Sequence, residues 1–233
     1  MNFPDALLPL TVSWAANLMA GLLLGLAIWR APWYRLKDEA QLHLWLGTCV
    51  TLMAIWSIKT GIKPGLDFHL LGGTLMALMF GPHLAIVGFA VVLAGVTLAG
   101  AAGWQGFGAN LLVMAAVPVL FSYLLHRTSQ RKLPNHLFVY LLLDAFFCSA
   151  LAIVLSGLAA TLLLGLAEVY RWNYLMTQHL PFYILLGWSE AMVTGMAITM
   201  MAAYRPHWLG TFSDARYLKP KPSASSPAKR PPE

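Results

Sequence analysis

The sequence predicts an all-α, polytopic transmembrane helical bundle of about seven spans, with the N-terminus outside and the C-terminus in the cytoplasm. Three observations carry that prediction. Hydrophobic residues make up 59% of the 233 residues and charged residues only 10%, with a mean hydropathy of +0.67, whereas soluble domains carry about 25% charged residues. Apolar runs of spanning or near-spanning length recur along the whole chain. Lysine and arginine concentrate on alternate connections between those runs.

The runs fall at 9–29, 42–58, 69–82, 83–102, 108–126, 137–158 and 181–203. The first contains Gly21 and Gly25, a GxxxG pair of the kind that lets helices approach closely. The third, HLLGGTLMALMFGP, is short, which leaves either a half-deep segment or a tilted helix, and Gly81-Pro82 allows only a tight turn before the fourth. Pro118 in the fifth reads as a kink. The sixth stays apolar to Ala167, longer than a ~30 Å hydrocarbon core at 1.5 Å per residue. Its end near 157–165 therefore extends beyond the bilayer or bends. The seventh carries a ridge of small residues, Gly187, Ala191, Gly195 and Thr199, beside Glu190.

With the N-terminus outside, the cytoplasmic connections hold Arg30, Arg35, Lys37, Arg127, Arg131, Lys132, Arg205, Arg216, Lys219, Lys221, Lys229 and Arg230. Outer connections hold Lys59, Lys63 and Arg171. The positive-inside rule selects this orientation over its reverse. It also accounts for the net charge of +6 without nucleic acid. Residues 1–13 contain no Lys or Arg, so the basic region of a signal peptide is missing and the N-terminus is expected to be retained. One membrane domain, 1–205, is followed by a cytoplasmic tail, 206–233, whose Pro, Ser and Lys content from about residue 217 predicts disorder.

Several chemistries are excluded. No G-x-x-x-x-G-K-[ST] phosphate loop occurs, so ATP hydrolysis by that route is absent. No Ser-His-Asp, His-Glu-x-x-His or Cys-x-x-Cys arrangement is present, and the chain is not read as an enzyme. Cys49 and Cys148 lie inside apolar runs and read as small buried hydrophobes. Inside the membrane only Asp144 and Glu190 are acidic. Glu190 lies roughly 14 Å into its span at helical rise, where it is either protonated, hydrogen-bonded to a neighbouring helix, or part of an ion path.

Topology sorts the histidines. His43, His83, His126, His136 and His207 fall at cytoplasmic ends of spans and read as interfacial. His69 opens the third run and His179 precedes the seventh, both at the outer face, together with the N-terminus, Asp5, Asp67, Gln105 and Asn110. Imidazoles, an amine and oxygen donors of this kind suit Ni, Co, Cu or Zn.

Four blocks then resemble a known family in order: MNFPDALLP at 1–9, HLLGGTLMALMFGP at 69–82, GFGANLLVM at 106–114 and HLPFYILLGWSEAMVTG at 179–195. They are similar to the CbiM/NikM family, the metal-capturing membrane components of energy-coupling-factor cobalt and nickel transporters. The resemblance implies an N-terminal segment folded into the outer mouth and a metal held by the terminal amine. It further implies the backbone nitrogen and imidazole of a histidine at position two, and the histidine opening the third-run block. Carried over, Met1, Asn2 and His69 are the metal residues, with His179 and Asn110 as further candidates. Position two departs, because Asn2 has no imidazole. The family's usual Gln in the fourth span is absent near Gly95, and Ala101-Ala102-Gly103 stands where His-Gly-Gly is typical.

The resemblance implies a permease subunit of a bacterial plasma (inner) membrane that captures a divalent transition-metal ion. Ni or Co is favoured, with Cu or Zn as alternatives. Its partners would be membrane lipid, a scaffold transmembrane subunit and separate ATPase subunits, with no nucleic acid. Two other functions fit the residues. One is a family scaffold with a non-transport role in metal delivery or membrane-complex assembly; the other is a proton-linked secondary transporter using Glu190 and Asp144. The orientation has a direct check: reporter fusions at Gln130 and after Arg205 should both read cytoplasmic, and an external reading at either site would overturn it.

Overall fold

The computed structural model describes residues 2–58, 60–61 and 63–218, and of Thr60 the backbone only. The expectation of disorder from about 217 falls mainly on residues 219–233, which lie outside the described residues.

The described residues are helical in all seven apolar runs. α1 spans Leu10–Arg30 and stops at Ala31, whose extended backbone (ψ 135°) is what the following Pro32 imposes. α2 spans Glu39–Ser57. Two short strands, β1 (Thr60–Gly61) and β2 (Asp67–Phe68), pair antiparallel above it. They lead into α3 (Gly73–Phe80) and, after one turn at Gly81, into α4 (Pro82–Leu98). α5 (Phe107–Leu111), a π-helical turn at 112–116 and α6 (Val117–Lys132) follow without a break. A second π-helical stretch at 139–147 runs directly into α7 (Cys148–Leu166). The described residues end with α8 (Trp172–Gln178), α9 (Leu180–Tyr204) and a single turn, α10 (Asp214–Tyr217).

Length decides the third run. α3 has 8 residues, about 12 Å at 1.5 Å per residue, well short of a ~30 Å core. It is the half-deep segment of the two forms the sequence allowed. Nearly all of it is buried, and Gly81 at φ 80° makes the tight turn into α4 that no β-carbon would tolerate well. The sixth run, by contrast, continues as one helix past Gly157 to Leu166. Gly157 and Gly165 serve packing there, since side chains of Tyr183 and Trp172 occupy the space a β-carbon would take. Pro118 sits just after the π-helical turn at 112–116, whose wider spacing accommodates the hydrogen bond that proline cannot make.

Among the described residues, four stretches are long and apolar enough to cross a membrane by length and composition: Leu10–Arg30, Phe107–Lys132, Val139–Leu166 and Trp172–Tyr204. The most extensive helix pair is α7 with α9. Its seam is the small-residue ridge, with Gly187 against Ala150 and Val154 and Gly195 against Phe146. The GxxxG pair in α1 behaves differently. Gly21 and Gly25 meet no neighbouring atom within 4 Å of a built β-carbon, because α1 packs through Ser13, Ala16, Ala20 and Ala27 and turns its glycines outward. The spacing was there, but the buried stripe lies on another face. Cys49 and Cys148 are free and buried, as small hydrophobes would be.

The two glycine sets separate by experiment. Gly195→Leu should overpack the α7–α9 seam, at a cost of about 1–3 kcal/mol, and lower the thermal midpoint of purified protein. Gly21→Leu should change stability by less than about 0.5 kcal/mol. Equal effects would contradict this packing.

A candidate metal site at the outer mouth

The mouth that the charge distribution assigns to the outer face is assembled around the loop that precedes α3. Gly72 is left-handed (φ 72°) and ends that loop. Three contacts hold it. Leu71 N–H donates to Glu190 Oε2 at 2.9 Å and Gly72 N–H to Oε1 at 2.7 Å. The Trp56 indole N–H donates to the Leu71 carbonyl at 3.3 Å. Glu190 is therefore a hydrogen-bonding residue, reaching from α9 to the two backbone amides just ahead of α3. No sequence pattern paired it with Leu71 and Gly72, 118 residues or more away.

His69 stands at the head of this loop, its ring 5.1 Å from that of Trp56 and only 6% exposed. Its Nδ1 lies 3.0 Å from the Leu70 carbonyl. A carbonyl only accepts, so Nδ1 carries the proton and the neutral ring keeps its lone pair on Nε2. His179 caps the start of α9 and is fully buried. Its Nδ1 is 3.1 Å from Thr161 Oγ1, and that hydroxyl already donates to the Gly157 carbonyl at 2.8 Å. Nδ1 of His179 must therefore be the donor, and its buried Nε2 has no hydrogen-bond partner. Both imidazoles are thus oriented through Nδ1, as a metal-binding histidine is commonly fixed. Phe68, the residue before His69, places its ring 5.8 Å from that of His179. Thr161, buried in α7, was not visible as a functional residue in the sequence, because a threonine inside an apolar helix carries no signal.

The N-terminal segment is fastened to the start of α5. Asn110 accepts from Phe3 N–H at 2.8 Å through Oδ1 and donates through Nδ2 to the Phe3 carbonyl at 3.2 Å. Both amide atoms of Asn110 serve this clamp. Ala6 N–H donates to Gln105 Oε1 at 3.1 Å, and Gln105 N–H donates to Asp5 Oδ1 at 2.8 Å. Asn17 of α1 joins the same region, accepting from Gly108 N–H at 2.7 Å and donating to the Gln105 carbonyl at 3.2 Å. The glycines of the GFGAN block allow these approaches: a β-carbon on Gly106 would lie 2.5 Å from the Phe3 carbonyl oxygen.

Asn2 follows from the clamp on its neighbour. It is 2% exposed, and neither Oδ1 nor Nδ2 has a hydrogen-bond partner. Met1, the first of the sequence-derived metal residues, lies outside the described residues. Among the described residues no three His, Cys, Asp or Glu side chains converge on one point, so a metal here would draw on donors of other kinds as well.

Comparison with known proteins agrees with this architecture. The sequence profile of the family described as cobalt uptake substrate-specific transmembrane region, CbiM, matches residues 2–208. A Haloquadratum walsbyi protein assigned by name to metal transport is 26% identical over 223 residues, 94% of this chain and 98% of its own length. A Lactiplantibacillus plantarum protein, named as a fused nickel transport protein, is 26% identical over 227 residues, covering 88% of this chain and 66% of that one. A solved truncated transition metal transporter superposes with a TM-score of 0.75 at 21% identity, over 88% of this chain and 99% of its own. A second transition metal transporter structure gives 0.73 at 21% identity.

Two substitutions probe the supports of the mouth. Glu190→Gln can accept from only one of the two α3 amides, losing a charge-assisted bond of about 1.5–3 kcal/mol; Glu190→Ala loses both. Thermal midpoints should fall in the order wild type, Gln, Ala. Asn110→Ala should leave the Phe3 N–H without its acceptor, while the Phe3 carbonyl keeps only the longer bond from Gly103 N–H at 3.4 Å, at a cost of about 1–3 kcal/mol, and open residues 2–6 to limited proteolysis. Wild-type resistance in Asn110→Ala would remove the clamp.

Proposed function

Because the chain belongs to the CbiM family, the cobalt uptake substrate-specific transmembrane regions, we propose that its outer mouth captures a divalent transition-metal ion for uptake. Nickel or cobalt is favoured, with copper or zinc as alternatives. The observation that carries this reading is the pair of buried imidazoles, each anchored through Nδ1, on the segment before α3 and at the start of α9. Neutral nitrogen donors suit late first-row divalent ions.

In this proposal the ligands are the Met1 amine, Asn2 and His69. His179 adds a second imidazole in place of the one that Asn2 cannot supply. Asn110 holds Phe3 and so positions Asn2 rather than coordinating. The Asn2 amide oxygen, buried and without a partner, is a neutral oxygen donor for the same ion. Asp5 keeps one carboxylate oxygen on Gln105, which fixes the turn after Phe3.

The chain contains no phosphate loop, so uptake driven by ATP would require separate ATPase subunits and a membrane scaffold. The name of the Lactiplantibacillus plantarum relative describes a fused protein, half again as long as the stretch this chain covers. That extra length is consistent with a partner carried on the same polypeptide there. The membrane would be the plasma membrane of a bacterium, with the mouth facing outward.

The test uses protein with a native N-terminus. His69→Ala should abolish nickel or cobalt binding measured by elemental analysis. Asn2→His, which restores the missing imidazole, should tighten binding at least tenfold, about 1.4 kcal/mol. Full metal stoichiometry in His69→Ala would show that the ion is held elsewhere.

A further inference from the structure

A groove of about 460 Å³ runs along the outside of the bundle, where α6 passes Leu143 of the 139–147 stretch. Phe121, Leu125, Thr128 and Lys132 recur at i, i+4, i+7 and i+11, so they share the face of α6 that forms its floor. From residue 121 to 132 the helix rises about 17 Å at ~1.5 Å per residue. That is close to the ~15 Å that one leaflet contributes to a ~30 Å hydrocarbon core. The charge distribution puts the Lys132 end at the cytoplasmic surface and the Phe121 end near the midplane.

The groove changes character along that length. Phe121, Leu124, Leu125 and Leu143 make its deep part, all of them apolar side chains. Its shallow end carries Thr128 and Lys132, with Arg131 beside Lys132 in the last turn of the helix. Neither cation has a carboxylate partner among the described residues, and residues 68–143 contain no Asp or Glu at all. Basic residues in a last turn complement the helix dipole, but that role needs no apolar channel leading down from them. The deep wall also lacks Gly, Ala, Ser and Thr, the residues that let a second helix come close. The occupant that fits is slender, apolar over the depth of one leaflet and anionic at its head.

We infer that this groove holds one anionic phospholipid of the cytoplasmic leaflet. An acyl chain lies along Phe121, Leu124 and Leu125, and the phosphate faces Lys132 and Arg131. The site stands apart from the metal-capture reading and does not depend on it. Its position gives the lipid a structural consequence. Leu125 precedes His126 and Leu143 precedes Asp144, and the side chains of His126 and Asp144 meet at 2.7 Å. A chain lodged between α6 and the 139–147 stretch braces from the outside the junction that this pair closes from within.

The test takes full-length protein, delipidated in a neutral detergent, offers it equal amounts of phosphatidylglycerol and phosphatidylcholine, and reads the bound lipid by native mass spectrometry. One phosphatidylglycerol should be retained in roughly fivefold preference, the order that one basic residue near an anionic lipid surface supplies. Lys132→Gln should bring that preference toward one. Lys37→Gln, which removes a cation assigned to the same face but outside the groove, should leave it unchanged. Leu124→Trp changes a position already 60% exposed, so the protein should fold and the larger ring should displace the lipid. Equal retention of the two lipids by wild type would overturn the inference. Equal losses in Lys132→Gln and Lys37→Gln would do the same, as would wild-type retention in Leu124→Trp.

Discussion

The bond pair from the Glu190 carboxylate to Leu71 and Gly72 is the constraint on which the outer mouth depends. A helix ending inside a membrane protein exposes amides that neither water nor a neighbouring turn can satisfy, and each unpaired one is costly. α3 begins in such a place. A carboxyl group can accept from two amides at once, and Glu190 takes those of Leu71 and Gly72 immediately ahead of the helix. Glu190 thereby sets the left-handed turn at Gly72, the turn sets the loop, and the loop presents the histidine.

The other end of α3 is held as firmly. Gly210 N–H donates to the Met79 carbonyl at 2.9 Å, and Thr211 donates to the Leu78 carbonyl through N–H at 3.2 Å and through its hydroxyl at 2.8 Å. Arg35 reaches the Phe80 carbonyl at 3.3 Å and that of Met79 at 3.4 Å. The 8-residue helix therefore connects the mouth to the segment after α9, which the sequence assigned to the cytoplasmic tail. Asp144 lies near that segment: His126 Nδ1 is 2.7 Å from Asp144 Oδ2, and Gln130 links His126 to Tyr217. With Glu190 on backbone amides and Asp144 on His126, each intramembrane carboxylate has a local role. A proton relay running through the two of them gains no support from their partners.

Much of this was legible in the sequence, and the remainder was not for identifiable reasons. Helical runs, the tight turn at Gly81-Pro82 and the α9 ridge all follow from local pattern. Local pattern stops at contacts between distant segments. Asn110 was legible as an outer polar residue but not as a clamp, because its partner is the backbone of Phe3, and a backbone leaves no trace in sequence. Thr161 was invisible for a similar reason: its importance lies in forcing the tautomer of a histidine 18 residues on. The Gly21–Gly25 spacing misled in the opposite direction, since small residues mark where a helix can be approached and not whether anything approaches it.

The departures from the family pattern also acquire a location. Asn2 in place of histidine, and Ala101-Ala102-Gly103 in place of His-Gly-Gly, are separated by about a hundred residues in sequence, yet both sets line the same vestibule. The parts that hold the N-terminal segment, Asn110, Gln105 and Gly106, remain intact and engaged. The clamp delivers residue 2 to a buried position through the backbone of its neighbour, Phe3. A change of side chain at position 2 therefore alters the lining without touching the hydrogen bonds that hold the segment.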